Sequence, residues 1–102
     1  AAVTALLAAI WNGTLLGRGA SDLVLDLMRG QRVDTKYGAV VPRRHLANKT
    51  GELADVSHDC GVITLSGREL ALSTTTSFAG AAARADRYVQ DSARLVYDFA
   101  RA

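Results

Sequence analysis

The chain has 102 residues, enough for one domain or part of one, and its 49% hydrophobic and 22% charged fractions suit an ordinary globular core. Its net charge is only +2, and the longest basic run is Arg43-Arg44, which argues against the concentrated basic face of a nucleic-acid binder. The single cysteine, Cys60, excludes an internal disulfide framework, and no stretch approaches the ~20 apolar residues of a membrane span.

Residues 1–12 place Leu6, Leu7, Ile10 and Trp11 at helical spacing and stop at Asn12-Gly13. This apolar start lacks a basic n-region and a cleavage site, so it reads as a helix already under way, with more of the domain upstream, and not as a signal peptide. After a short connection, Ser21 is a good N-cap, Asp22 suits the first turn, and Gly30 is placed as the C′ residue of a second helix. The two helices read as an αα-hairpin. Residues 31–45 are polar, basic and irregular.

From Leu46 the period changes. Residues 46–50 read as a short strand ending at Gly51, Cys60–Leu65 as a second strand, and Arg68–Phe78 as a third, joined to the second across Ser66-Gly67. Leu70, Leu72, Thr74, Thr76 and Phe78 fall on one face of the third strand. The closing segment is the clearest helix: Ala85, Tyr88, Val89, Ser92, Leu95, Val96 and Phe99 recur at helical spacing, while Arg84, Arg87, Asp91, Arg94 and Asp98 take the other faces. Asp91 with Arg94, and Asp98 with Arg101, have the spacing of i,i+3 ion pairs. The fold class is therefore α+β, an antiparallel sheet flanked by helices, and the helix over 85–101 is expected to cover one sheet face.

Few residues suggest chemistry by themselves. Glu52 and Glu69 are the only glutamates. Asp55, His58, Asp59 and Cys60 cluster in sequence without the spacing of a zinc or calcium motif, and no glycine-rich phosphate loop occurs. No metal and no cofactor is expected. Cys60, within an apolar stretch, reads as a small buried hydrophobe.

The informative segment is Lys49-Thr50-Gly51 at the end of a strand, followed by a turn, a His58-Asp59-x-Gly61-Val62-Ile63 strand, a hairpin and a long closing helix. That arrangement, over nearly all of the chain, resembles the C-terminal part of class A β-lactamases and related penicillin-recognising serine hydrolases. Residues 1–13 and 21–30 look like the two helices before the K-T-G strand of that family, so 1–102 would be the C-terminal portion of a β-lactamase-like αβα sandwich.

The resemblance implies a role for each matching residue. Lys49 would bring a cation to the cleft, and Thr50 a hydroxyl to the substrate carboxylate. Gly51, lacking a Cβ, would let the substrate approach the strand edge. The backbone N–H of Glu52 would be one donor of an oxyanion hole. His58 falls near where many family members carry an arginine for the substrate carboxylate, and a histidine is a weaker anchor. Beside that role, His58 and Asp59 also read as a polar pair fixing the strand entrance.

Other family elements do not occur. No serine has a lysine three residues on, Ser21-Asp22-Leu23 is only a partial echo of S-D-N, and no E-x-x-L-N segment is present. The chain by itself is expected to be inactive: one wall of an active site, acting on a β-lactam or related acyl substrate through an acyl-serine formed on another portion of the protein. Three readings follow: a portion of a β-lactamase; a portion of a related D,D-peptidase, esterase, glutaminase-like or inactive homologue; or a non-catalytic module that self-associates through its open faces. The expected partners are the N-terminal portion of the same protein or a second copy, with no nucleic acid. By resemblance the location is secreted or at the cell envelope.

Overall fold

A computed structural model describes residues 2–77 and 81–102, so Ala1 and Phe78 of the expected elements lie outside the described residues. α1 (Ala2–Asn12) and α2 (Arg18–Arg29) form the αα-hairpin. Gly13, at φ 74°, turns the chain out of α1 in a left-handed conformation open to glycine. α2 begins earlier than its capping signals suggest: Gly17, not Ser21, precedes it. Ser21 is buried, its hydroxyl without a hydrogen-bond partner, and Asp22 pairs with Arg18 at 2.9 Å. Packing sets this phase. Leu25 is buried with Ile10 and Ala47, and Ser21, one turn earlier on the same face, goes inward with it. Gly30 does follow α2, but at φ −85°, in place of the left-handed C′ conformation expected of it.

β1 (Leu46–Leu53), β2 (Val56–Leu65) and β3 (Arg68–Ser77) form an antiparallel sheet in the order β1-β2-β3. β1 runs through Gly51 to Leu53, and β2 starts at Val56 instead of Cys60. The hairpin turn is Ala54-Asp55. Residues 52–59 carry little apolar pattern, but an antiparallel ladder satisfies backbone groups whatever the side chains are. The Ser66-Gly67 turn stands where the sequence places it, with Gly67 at φ 76°.

Helices cover both sheet faces. On one side α3 (Ala82–Arg101) and the 3₁₀ turn Tyr37–Ala39 bury Leu46 and Ile63 with Tyr37, Val41, Val89 and Ala93. On the other, Ile10 and Leu25 of the αα-hairpin pack on Ala47. The irregular stretch 31–45 is thus part of the core, with Lys36, Tyr37 and Val41 buried. α3 meets the sheet with a narrower face than its spacing suggests: Ala85, Val89, Ala93 and Ala100 are buried, whereas Tyr88, Leu95 and Phe99 are exposed. The two i,i+3 ion pairs form, Asp98–Arg101 at 2.7 Å and Asp91–Arg94 at 3.8 Å. No helix among the described residues is long and apolar enough to cross a membrane.

Candidate active site

β1 is an edge strand, so Lys49, Thr50, Gly51 and Glu52 lie on a ledge that no other strand of the sheet covers. Lys49 and Glu52 are exposed, while Thr50 and Gly51 are half-buried. Strand alternation divides their side chains. Lys49 and Gly51 share the αα-hairpin face with Ala47; Thr50 and Glu52 share the α3 face with Leu46 and Asn48. The Lys49 ammonium folds back on its own strand, donating to the Thr50 carbonyl at 2.5 Å.

Gly51 lies opposite His58 in the ladder. A Cβ built on Gly51 would stand 3.9 Å from His58 Cδ2, an ordinary contact, so nothing among the described residues demands glycine here. His58 is half-buried, and its Nδ1 accepts a hydrogen bond from the Thr76 N–H at 3.3 Å. Asp59, next in sequence, points to the opposite face. The expected His58–Asp59 polar pair is therefore split by the pleat, as is the run of possible metal ligands from Asp55 to Cys60. Among the described residues, no group of three His, Cys, Asp or Glu side chains is placed to hold a metal ion.

Behind the ledge, on the α3 side, the core becomes polar. Asp59 is buried; its carboxylate accepts from the Tyr37 N–H at 3.0 Å and from Asn48 Nδ2 at 2.9 and 3.0 Å. Arg43 donates to Asn48 Oδ1 at 2.5 Å and to Asp34 at 2.8 Å. The Tyr37 hydroxyl lies 2.6 Å from Thr74 Oγ1. Gly61 makes room for this: opposite Asn48 in the ladder, it has no Cβ to strike the β1 backbone. Burial raises the Asp59 pKa from its ordinary value, and the Tyr37 and Asn48 hydrogen bonds only partly offset that. Burial also raises Tyr37 and, with the nearby Asp59 charge, Cys60, whose thiol is held away from the reactive thiolate form. Cys60 is half-buried, less enclosed than its apolar run suggests.

At the end of the ledge, the fully buried Lys36 pairs with Glu52 and, at 3.7 Å, with Asp86 of α3. Asp86 also accepts from Ser57 Oγ at 2.8 Å. Ser57 is buried, so this hydroxyl–carboxylate pair is a structural tie and not an exposed nucleophile. Lys36, Tyr37 and Arg43 are the site residues that sequence reasoning misses. Their one local signal is a Lys-Tyr pair inside a stretch otherwise read as irregular. As a chemical surface the ledge offers a cation, a hydroxyl and unobstructed backbone, which suits binding and charge stabilisation; among the described residues the site shows no serine aligned with an exposed base.

The sequence matches the model of the beta-lactamase enzyme family over residues 1–100. None of the curated proteins matches it. Among solved structures, a PBP-A mutant determined as its acyl-enzyme complex with penicillin G superposes with a TM-score of 0.87 at 22% identity, over 97% of this chain and 38% of that one. PBP-A itself gives 0.82 at 22% identity, over 97% and 38% of the two chains. A β-lactamase from Sphaerobacter thermophilus gives 0.86 at 20% identity, over 95% and 38%. At these identities the structures establish the shared fold. The chain spans only 38% of the length of each.

Proposed function

The chain belongs to the beta-lactamase enzyme family, and from that premise we propose that it supplies the Lys49-Thr50-Gly51 wall of a serine hydrolase that is acylated by β-lactams. The observation that carries this reading is the ledge itself, an open edge strand presenting those three residues in a fold shared with a protein solved as a penicillin acyl-enzyme. In the reading, Lys49 and Thr50 hold the substrate carboxylate, with Lys49 released from its contact with the Thr50 carbonyl. Gly51 admits the acyl chain. The Glu52 N–H donates to the oxyanion of the tetrahedral intermediate, a donor of the kind whose removal costs ~2.7–4 kcal/mol. The attacking serine, the base that activates it and the group that deacylates it come from the N-terminal portion of the protein. The chain without that portion is inactive.

Two surfaces support such a partner. α3 exposes Tyr88, Leu95 and Phe99. The outer edge of β3 borders a groove of about 360 Å³ lined by residues that include Thr75, Thr76, Arg84 and Tyr88. An N-terminal portion packed there would pair the open edge and cover the apolar residues. By family the protein is exported, to the envelope or the medium; cell fractionation tests that.

A second reading rests on His58. Its Nδ1 is taken up by the Thr76 N–H, and a single imidazole holds a carboxylate less firmly than the two-pronged guanidinium of an arginine. That leaves room for another acyl substrate: a D-Ala-D-Ala peptide, whose C-terminal carboxylate Lys49 and Thr50 would still hold, or a simple ester with no carboxylate to anchor. The deciding experiment is intact-mass spectrometry of the full-length protein with penicillin G, followed by turnover of a cephalosporin, a D,D-peptide and an ester. A covalent adduct with β-lactam turnover supports the first reading. An adduct without turnover, together with peptide or ester cleavage, supports the second. No adduct and no cleavage defeats both.

A further inference from the structure

We propose that Lys36 is a positioning residue for the ledge, tethering the side chain of Glu52 so that the Glu52 peptide keeps one orientation. This rests on the reading in which the Glu52 N–H faces the oxyanion.

Lys36 is an unusual residue to find wholly out of water, since a lysine is buried only where carboxylates compensate its charge. Here two carboxylates do so from different elements: Glu52 near the end of β1, and Asp86 in the first turns of α3. The base of the lysine is itself fixed. The next residue, Tyr37, is fully buried, donates its N–H to Asp59 at 3.0 Å and places its hydroxyl 2.6 Å from Thr74. Lys36 is therefore a short rigid post standing between α3 and the sheet, with Glu52 held at its tip.

The two strands of the β1–β2 hairpin are held differently at this end. Ser57, opposite Glu52 on β2, has two ties of its own: its hydroxyl to Asp86 at 2.8 Å, and its carbonyl, which accepts from Thr76 Oγ1 at 2.6 Å. Glu52 is mostly exposed, with a side chain 59% accessible, on an edge strand with Leu53, Ala54 and Asp55 exposed after it. Without the lysine, β2 stays anchored, while among the described residues the end of β1 is held by its ladder to β2. The peptide so loosened is the one on which the proposed oxyanion donor depends, where a displacement of roughly 1 Å is enough to cost ~100-fold in rate.

The test uses the full-length protein carrying Lys36→Met, Lys36→Arg, Glu52→Ala or the Lys36→Met/Glu52→Ala pair, with penicillin G as probe. The expected result for Lys36→Met and for Glu52→Ala is an acylation rate constant lowered ~10- to 100-fold at saturating penicillin, with the half-saturating concentration little changed. The pair is no slower than either single variant, since both cut the same tether. Lys36→Arg, which keeps the cation, restores most of the rate. Glu52→Ala removes only an exposed side chain, so it folds and decides the matter even if Lys36→Met does not. A rate constant per folded molecule that matches the unsubstituted protein in Glu52→Ala overturns the proposal, whatever happens to the melting temperature. If the unsubstituted protein is not acylated, the hydrolase reading fails instead, and the tether is then judged by NMR. The Glu52 N–H order parameter should drop in Glu52→Ala from a rigid value of ~0.85 to below ~0.6 while Asn48 and Ser57 hold theirs. An unchanged value overturns it.

Discussion

Two glycines on the same hairpin should answer oppositely to alanine. At Gly61 a Cβ would stand 2.4 Å from the Ala47 carbonyl oxygen, 2.8 Å from Asn48 Cβ and 2.9 Å from Asn48 Cα. Carbon contacts are comfortable at ~3.5–4.0 Å, so the methyl overlaps β1 by roughly 1 Å. The atoms it meets are backbone and the Cβ of a buried residue, which cannot rotate aside. β1 must shift away from β2, and Asn48 is then drawn from Asp59, to which it donates at 2.9 and 3.0 Å. Overpacking costs ~1–3 kcal/mol, and weakening a buried hydrogen bond to a carboxylate adds ~1.5–3 kcal/mol. We expect Gly61→Ala to lose about 3–5 kcal/mol, a large share of the ~5–15 kcal/mol that folds a domain. With a urea slope of ~1–3 kcal/mol/M, the midpoint falls by about 2 M. Gly51 is the control. Its Cβ would meet His58 at 3.9 and 4.0 Å, and its φ is not positive, so Gly51→Ala should change stability by no more than about 1 kcal/mol while penicillin acylation falls. Urea titration of the full-length protein, followed by circular dichroism, measures both. A Gly61→Ala loss below about 1 kcal/mol, or a Gly51→Ala loss as large as that of Gly61→Ala, would refute the reasoning.

Tyr37→Phe removes the 2.6 Å contact with Thr74 and leaves a buried hydroxyl without its partner, so it should destabilise by ~1–2 kcal/mol in the same titration. Asp59 gives a pH prediction. Its folded pKa is raised above its ordinary 3.8 by burial, so between those two values the folded state binds more protons than the unfolded chain. Its contribution to stability is therefore greatest in acid and declines as pH rises through the folded pKa. Urea midpoints measured from pH 3.5 upward should show that decline in the unsubstituted protein and lose it in Asp59→Asn. Arg68 donates from Nη1 to the Phe99 and Ala100 carbonyls, both at 3.1 Å, closing the end of α3 against β3. Arg68→Ala should cost ~0.5–1.5 kcal/mol and speed amide exchange in the last turn of α3, with the first turn unaffected.

The sequence by itself determined the order of helices and strands, the two hairpins and the placement of Lys49-Thr50-Gly51 on a strand, but not that this strand runs on to Leu53 or forms an edge of the sheet. Those features are written in near neighbours: apolar residues at helical or alternating spacing, and glycines at Gly13 and Gly67 where the chain needs positive φ. Leu70, Leu72, Thr74 and Thr76 do share the α3 face, because a period of two has only one way to divide a strand. Element ends were less legible. Ser21 looked like a cap and became core, since the burial of Leu25 outweighed a single capping bond. Tyr88, Leu95 and Phe99 looked like the inner face of α3, yet the sheet presents Leu46, Ile63 and Leu72 only along a line that Val89, Ala93 and Val96 already fill. The polar network behind the ledge was decided by the tertiary structure alone. Tyr37 meets Asp59 and Thr74 across separations of 22 and 37 residues, and Lys36 reaches Glu52 across 16. A buried charge is tolerable only beside its partners, and no local pattern of residues says which distant carboxylate the fold will bring to it.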